Sequence, residues 1–250
     1  MDIVNLNQFI RSVELNRDKV TSFSDYPFCL SAIQNLHDLK FHPKATFFVG
    51  ENGTGKSTML EAIATAYGFN PEGGTKNFNF SSMDTHSELH EYIKLVKGVK
   101  KPKTGFFLRA ESLYNVASNI EELDKDGDGP RVIDSYGGKS LHQQSHGESF
   151  LAIFMNRFTA NGIYILDEPE AALSPSRQMS MLARMHDLIE LGCQFIIATH
   201  SPIIMAYPDS VIYEIKDDFQ KVEYQQTEHY QVMKTFLNST QKMLDILLQK

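Results

Sequence analysis

The chain has 250 residues, of which 42% are hydrophobic and 22% charged, and its formal net charge is −7. A chain of this length can bury one substantial core, and its composition is that of a globular protein. The negative charge excludes a general basic footprint for nucleic acid but not a local basic patch.

The N-terminal stretch MDIVNLNQFIRS lacks the basic start and the long apolar core of a signal peptide. No apolar run approaches the roughly 20 residues of a membrane span. Cys29 and Cys193 are far apart and form no CxxC pair, which favours a reducing compartment. We therefore expect a cytoplasmic protein without an integral membrane segment.

The first strong motif is FFVGENGTGKSTMLEAIA. Residues 45–49 predict a buried strand, and Gly50, Gly55, Lys56 and Ser57 fit G-x-x-x-x-G-K-[ST]. Glycines let backbone N–H groups surround an anion, and the following helix presents its N-terminus to the phosphates. We expect Lys56 to reach the β- and γ-phosphates of a bound nucleotide and Ser57 to ligate Mg²⁺. The expected phosphate-loop residues are Gly50, Asn52, Gly53, Thr54, Gly55, Lys56, Ser57 and Thr58.

The interval 70–140 alternates polar, Gly-rich stretches with helical patterns, one of them around SELHEYIKLVKG. We expect a compact helical subdomain with loops, and a partner surface, in this interval. A single domain would then comprise a nucleotide-binding core (1–69 and 141–215), this insertion, and a C-terminal strand and helix (216–250).

The stretch QQSHGESF, residues 143–150, begins an apolar helical pattern formed by Phe150, Leu151, Phe154 and Phe158. Ser145 and the N–H of Gly147 would then lie at a helix N-terminus, which favours an anion. A chance string of polar residues is the alternative interpretation.

The stretch GIYILDEPEAALSPSRQ contains another apolar strand, residues 163–166, followed by Asp167 and Glu168. Ligands collect at the C-terminal ends of strands in open α/β sheets. We expect Asp167 to hold Mg²⁺ through water and Glu168 to polarise the attacking water, although adjacent acids can also be plain loop residues.

The stretch QFIIATHSP predicts a strand at 195–198 that ends just before Thr199 and His200. A histidine in this position is often only a packing or capping residue. Because a parallel neighbouring strand would bring His200 into the same crevice as Glu168, it is predicted to contact the γ-phosphate.

Two metal-like patterns are set aside. DKDGDG, residues 124–129, resembles half of an EF-hand loop, but Ser135 occupies the position that needs a bidentate Glu. HSELH, with His86 and His90, lacks the arrangement of a zinc protease. The C-terminal pattern (Val232, Met233, Phe236, Leu237, Met243, Leu244 and Leu247) predicts amphipathic helix that packs on the core or docks a partner.

Together the motifs at 50–57, 163–168 and 195–200 resemble those of ABC-type ATPases, a fold shared by transporter nucleotide-binding subunits and SMC-like ATPases. The resemblance covers about residues 26–200. It implies an α/β P-loop fold with a mostly parallel sheet, an antiparallel β portion and a small helical subdomain. It also implies ATP and Mg²⁺ as cofactors, a catalytic Glu168, a switch histidine at His200 and a D-loop at 171–174.

The same resemblance gives QQSHGESF a role. Gln144 to Glu148 take the place of the LSGGQ signature, with Ser145, Gly147 and Glu148 as the residues that would contact a partner's ATP. Such a contact implies a symmetric homodimer in the ATP state. Tyr26, upstream of the P-loop, is the preferred adenine-stacking residue, whereas a core role is expected for Phe28.

Two departures from the family pattern indicate which branch of the ABC-type ATPases this sequence resembles. No Gln lies between Thr58 and Gln143, so the Q-loop glutamine is missing, with Glu111 or Arg109 as substitutes. DEPEAALSP resembles the DEPE-x-x-L-x-P form of stand-alone, OLD-like ATPases more than the transporter form DEPTSALD. We therefore expect an ATPase that acts on a protein effector or DNA; a transporter subunit and a nucleotide-gated switch are the alternatives.

Overall fold

The computed structural model describes residues 8–76, 87–111, 113–125 and 131–249. Within these ranges the chain forms a six-stranded, mostly parallel sheet and a three-stranded antiparallel sheet, with helices around them. The expected α/β class, with a mostly parallel sheet and an antiparallel portion, is confirmed.

The strands alternate with helices along most of the chain. The strands are β1 Ile10–Leu15, β2 Leu39–Lys40, β3 Ala45–Val49, β4 Ile93–Lys97, β5 Thr104–Arg109, β6 Gly162–Asp167, β7 Gln194–Ala198, β8 Val211–Ile215 and β9 Phe219–Val222. The helices are α1 Ser31–Gln34, α2 Lys56–Tyr67, α3 Leu89–Tyr92, α4 Leu113–Lys125, α5 His146–Arg157, α6 Pro175–Glu190, α7 Glu228–Asn238 and α8 Thr240–Leu247. Short 3₁₀ turns include Val132–Tyr136, Leu141–Gln143 and Pro169–Ala172.

The large sheet has the strand order β5-β6-β7-β3-β8-β9, and β9 alone runs antiparallel among its described strands. Consecutive side chains of each strand point to opposite faces. On β3, Phe47 packs into the cluster formed with α4, α5 and α6, while Phe48 packs into the cluster formed with α2 and β1. Both faces are therefore covered, which explains why β3, β6 and β7 are buried along their whole length and are mostly apolar.

This arrangement brings the ends of β3, β6 and β7 together at one edge of the sheet. Ala198 of β7 is paired with Phe48 of β3 on one side and with Asp167 of β6 on the other. The P-loop, the acidic pair and His200 all begin where these strands end, so the parallel register itself gathers the three sequence motifs.

The interval 70–140 contributes a strand to each sheet in addition to α4. The helix expected around SELHEYIKLVKG is wrong beyond Tyr92, because β4 pairs antiparallel with β1, with Val13 opposite Leu95. β4 alternates apolar Ile93 and Leu95 with the exposed Lys94, a period-two pattern that suits a half-buried strand better than a helix. Residues 126–129 of the EF-hand-like stretch and His86 lie outside the described residues.

The C-terminal helices α7 and α8 form as the amphipathic pattern predicts, but none of their residues is buried. Val232, Leu237 and Leu247 are each more than half exposed. Of the two interpretations of this face, packing on the core is therefore wrong within the described chain, and docking of a partner stays a prediction. None of the described helices is long and apolar enough to span a bilayer.

Candidate active site

The P-loop joins β3 to the start of α2. Gly55 is the N-cap of α2 with φ of 97°, and Gly50 and Gly53 also have positive φ, at 143° and 83°. A Cβ atom on Gly50 would lie 2.5 Å from the carbonyl oxygen of Ile215 on β8. The loop therefore needs glycine there for space as well as for backbone conformation.

Lys56 lies at the floor of this loop and is 4% exposed. Its Nζ donates hydrogen bonds of 2.8 Å to the carbonyl oxygens of Gly50 and Glu51. Burial lowers the pKa of Lys56, while the carboxylates of Glu168 and Asp167 oppose that shift. The ammonium group is thus held inside the loop by backbone carbonyls.

Ser57 and Asp167 meet where α2 begins and β6 ends. The Ser57 hydroxyl donates a hydrogen bond of 3.0 Å to Oδ1 of Asp167. Burial raises the pKa of Asp167 to about 6, although the charge of Arg109 and the Ser57 hydroxyl oppose that shift. A hydroxyl beside a carboxylate supplies the oxygen ligands that Mg²⁺ prefers, and a dication would stabilise the ionised form of this buried acid. The pair fits a magnesium site.

Arg109 ties this carboxylate to the P-loop helix. It lies opposite Asp167 in the β5–β6 register, with its Nε 3.7 Å from Oδ2 of Asp167 and its Nη1 2.8 Å from Oε2 of Glu61 on α2. Its Nη2 is 3.4 Å from Glu111. Of the two expected substitutes for the missing glutamine, Arg109 is bound to acidic neighbours, whereas Glu111 faces the P-loop cavity.

Glu168 follows directly and has a strained backbone. Its φ and ψ of 48° and 53° are left-handed, which is uncommon for a residue with a side chain and is often found at functional sites. Its N–H donates a 3.0 Å hydrogen bond to Ala198 O on β7, and its Oε1 lies 3.4 Å from Nε2 of His200. The predicted base and the predicted switch histidine are therefore direct neighbours.

A cavity of about 380 Å³ opens above the P-loop. Glu111 and Glu168 line it. Of the predicted nucleotide-binding residues, it is lined by Tyr26, Asn52, Gly53, Gly55, Lys56, Ser57 and Thr58. Gly50 and Thr54 line a smaller neighbouring cavity of about 300 Å³.

Tyr26 stands at the mouth of the larger cavity. The residue is 64% exposed and its hydroxyl is 2.9 Å from Oγ1 of Thr58, so its ring is accessible from the cavity mouth. Phe28, by contrast, is buried edge-on against Tyr92 with ring centroids 4.8 Å apart. Phe28 is thus a core residue, as the sequence predicts, whereas the adenine-stacking role of Tyr26 stays a prediction.

A family model described as an AAA domain matches residues 22–245. The chain belongs to the AAA domain family. The galactose/methyl galactoside import ATP-binding protein MglA of Escherichia coli (strain K12) is 28% identical to it over 192 residues. That match covers 68% of this chain but only 36% of MglA, so the chain spans little more than a third of that relative's length.

Solved structures resemble the fold of this AAA-domain chain at low sequence identity. An SMC head bound to the C-winged helix domain of ScpA is 13% identical with a TM-score of 0.51, covering 86% of this chain and 98% of that one. cbiO1 from Clostridium perfringens, part of the ABC transporter complex cbiONQ, is 18% identical with a TM-score of 0.49, covering 97% and 100%. The family match and the curated relative support the ABC-type ATPase superfamily, and the SMC head supports the fold.

The signature-like stretch of the AAA-domain chain begins α5, with Ser145 as its N-cap. Glu148 accepts a hydrogen bond of 2.9 Å from the Ser145 N–H, as in a capping box, and a second of 2.6 Å from the Ser145 hydroxyl. A Cβ atom on Gly147 would lie 2.2 Å from the carbonyl oxygen of Ala172, so α5 packs directly against the segment after Glu168. None of the three predicted signature residues lines the P-loop cavity of the same chain.

Sequence reasoning did not assign Glu170, which is the second acid of DEPE. Its Oε2 accepts a 2.7 Å hydrogen bond from the Thr199 hydroxyl, and its Oε1 accepts one from the His200 N–H. Burial raises the pKa of Glu170, while these hydrogen bonds oppose that shift. Glu170 therefore ties the end of β7 to the segment that carries Glu168.

His229 on α7 was also not assigned. Its Nε2 lies 2.9 Å from Nδ1 of His200, and the two ring centroids are 4.9 Å apart. No motif surrounds His229 in the sequence, and only the fold reveals that α7 returns to the end of β7.

Proposed function

We propose that the P-loop cavity binds Mg-ATP and that Glu168 promotes its hydrolysis. The observation that carries this proposal is the 3.0 Å contact between Ser57 and Asp167, with Glu168 next in the chain and Lys56 at the floor of the same cavity. These four side chains come from two segments that the parallel sheet brings together, and each has the chemistry that phosphoryl transfer requires.

Each residue has a separate task. Lys56 would leave the carbonyls of Gly50 and Glu51 and bind the β- and γ-phosphate oxygens. Ser57 and Asp167 would hold Mg²⁺, which neutralises charge on the β- and γ-phosphates when bound. Glu168 would orient the attacking water and accept its proton.

His200 would bind the γ-phosphate through Nε2, which lies 3.4 Å from Glu168. Loss of that phosphate would then alter the contact between the base and the histidine. Tyr26, exposed at the cavity mouth, would stack on adenine, and Glu111 would take the place of the absent glutamine near the phosphates.

The signature supports a homodimer in the ATP state. Ser145 and Glu148 are exposed at the start of α5, away from the cavity of their own chain, and a helix N-terminus favours a phosphate. In a two-fold pair each chain would offer this end of α5 to the other's γ-phosphate. ATP would therefore hold the two copies together, and hydrolysis would need both.

Turnover assays test the hydrolysis directly. We expect Lys56→Ala and Glu168→Gln each to lower the rate of phosphate release by about 100-fold or more, because each removes a group that acts in the transition state. Glu190→Gln, at the exposed end of α6, is the matched control and should retain the wild-type rate. Wild-type turnover in both cavity variants would refute the proposal.

We propose that the ATP cycle of this cytoplasmic, OLD-like ATPase drives a protein effector or a DNA-related process. A transporter subunit is the second candidate, because the curated relative is named as an import ATP-binding protein. The missing glutamine between Thr58 and Gln143 counts against it. DNA-stimulated turnover would favour the first candidate, whereas co-purification with membranes would favour the second.

A further inference from the structure

His200 is contacted on both ring nitrogens, and only one of its partners belongs to the motifs already described. Nε2 lies 3.4 Å from Oε1 of Glu168, and Nδ1 lies 2.9 Å from Nε2 of His229. Both imidazoles are only partly exposed. The ring of the switch histidine is thus held between the catalytic carboxylate and a second histidine from the C-terminal part of the chain.

Proton accounting fixes the direction of these contacts. Nε2 of His200 has no hydrogen-bond partner among the described residues, but the Glu168 carboxylate 3.4 Å away is an ion-pair neighbour that favours a proton on this nitrogen. Nδ1 of neutral His200 is then an acceptor, and the proton between the rings must come from Nε2 of His229. Nδ1 of His229 is buried without a hydrogen-bond partner among the described residues, so a proton placed there would be unpaired.

The first turn of α7 is anchored, which holds His229 in place. Thr227 is fully buried as the N-cap, and its hydroxyl accepts from the Tyr230 N–H at 3.4 Å. The Glu228 N–H donates a 2.8 Å hydrogen bond to Glu214 on β8. The start of α7 is thereby tied to the main sheet, although the rest of this helix is exposed.

We propose that His229 is a positioning residue that donates to Nδ1 of His200 and thereby keeps the Nε2–H of His200 directed to the catalytic centre. The proposal rests on the proposed ATPase function, in which that N–H serves the γ-phosphate. His229 does not reach the P-loop cavity itself and acts through His200 alone. The first turn of α7 would in this way support the catalytic centre.

Turnover of three variants tests the role. His229→Ala and His229→Phe remove the donor, and both should lower kcat by about 10- to 100-fold with little change in KM, the loss seen when a partner that orients a metal-binding histidine is removed. His229→Gln can still donate from its amide and should recover most of that loss. Gln231→Ala, exposed on the same helix, is the control.

Side-chain ¹⁵N NMR of histidine gives a readout that does not depend on activity. In the wild type and in His229→Gln, His200 should give the shifts of a ring protonated at Nε2, whereas His229→Ala should give a mixture of tautomers. Wild-type kcat and an unchanged His200 tautomer in His229→Ala would overturn the proposal. An inactive wild type with the expected tautomer would refute the proposed hydrolysis and leave the positioning role standing.

A second inference concerns a separate cavity of about 480 Å³. It lies at the start of β5, whereas the P-loop site adjoins the end of that strand. Its basic lining residues are Lys76, Lys97, Lys101, Lys103 and Arg157, and none of its described lining residues is acidic. This concentration of positive charge occurs in a chain whose net charge is −7.

Like charges are brought close together in this basic cavity. Nζ of Lys76 is 4.0 Å and Nζ of Lys97 is 4.9 Å from the centre of the same Tyr67 ring. Burial and the charge of Lys97 both lower the pKa of Lys76. Repulsion between like charges is relieved when an anion binds between them.

The geometry points to a binding site in this basic cavity for a ligand with two or more phosphate groups. The cavity is within the size range of small-molecule sites. The probe is inorganic tripolyphosphate, titrated calorimetrically into Lys56→Ala protein so that the P-loop does not compete. Binding should persist in this background.

Charge variants made in the Lys56→Ala background test the location. Lys97→Glu/Lys101→Glu should weaken tripolyphosphate binding by more than about tenfold, and Lys97→Gln/Lys101→Gln should weaken it less. Lys94→Glu/Lys242→Glu changes the net charge equally at exposed positions outside the cavity and should bind as its parent does. No binding to the parent, or equal weakening by both charge-reversal pairs, would overturn the inference.

Discussion

Replacing Asp167 by asparagine should stabilise the nucleotide-free protein at neutral pH while it destroys the magnesium site. The side chain of Asp167 is only 8% exposed, and burial raises its pKa from 3.8 to about 6. Each unit of such a shift corresponds to about 1.36 kcal/mol, so keeping this acid ionised costs the folded state about 3 kcal/mol. Asparagine has no charge to desolvate.

The sign of the effect depends on pH. Below pH 3.8 the acid is protonated in the folded and unfolded states, and the variant should gain nothing from its neutrality. Between pH 3.8 and about 6 the unfolded acid ionises before the folded one, so the wild type loses stability relative to the variant. Above about pH 6 the stability advantage of the variant should reach its full value. The loss of the attraction between Arg109 and the Asp167 carboxylate reduces that value.

Urea unfolding in EDTA without nucleotide measures this difference. We expect Asp167→Asn to be more stable than the wild type by about 1–3 kcal/mol at about pH 8 and by much less at about pH 4. Asp187→Asn, which changes an exposed acid on α6, should show no such pattern. A variant that is less stable than the wild type at the higher pH, or a gain that does not change with pH, would refute the reasoning.

Three further variants test other contacts. Ser145→Arg should abolish the ATP-dependent dimer in light scattering but leave nucleotide binding to the monomer intact; an unchanged dimer would contradict the signature assignment. Gly147→Ala should lower the free energy of unfolding in urea by about 1–3 kcal/mol, because its Cβ would lie 2.2 Å from Ala172 O; wild-type stability would contradict that packing. Glu170→Ala should lower kcat more than it raises KM, because the Thr199 hydroxyl and the His200 N–H lose their acceptor. An unchanged kcat would show that this carboxylate does not position the histidine.

The central fold was predictable because its signals are local. Residues 45–49, 163–166 and 195–198 are short apolar runs, and each is followed by polar residues with clear phosphate or metal chemistry. The parallel sheet then requires little more than the right-handed connection of these units. The N-terminus of α5 was predictable as well, because the apolar helical pattern of Phe150, Leu151, Phe154 and Phe158 begins directly after it.

The features that sequence reasoning missed depend on long-range contacts. Residues 93–97 fit a predicted helix because, over so short a stretch, their apolar residues match the period of a helix as well as that of a strand. Pairing with β1 makes this segment a strand. His229 and Glu170 gain their importance only from where α7 and β7 lie in space. The exposure of the apolar residues on α7 and α8 could not be read from their periodicity, which is the same for a core-packed helix.

Light-scattering chromatography of Glu168→Gln, with and without ATP and Mg²⁺, tests the central claim most directly. The variant should bind ATP without hydrolysing it, because the cavity and Lys56 are intact while the base is lost. We predict a monomer without nucleotide and a dimer with Mg-ATP, and the addition of Ser145→Arg should remove the dimer. A mass that ATP does not change, in protein shown to have bound ATP, would contradict a composite site shared by two copies of this chain.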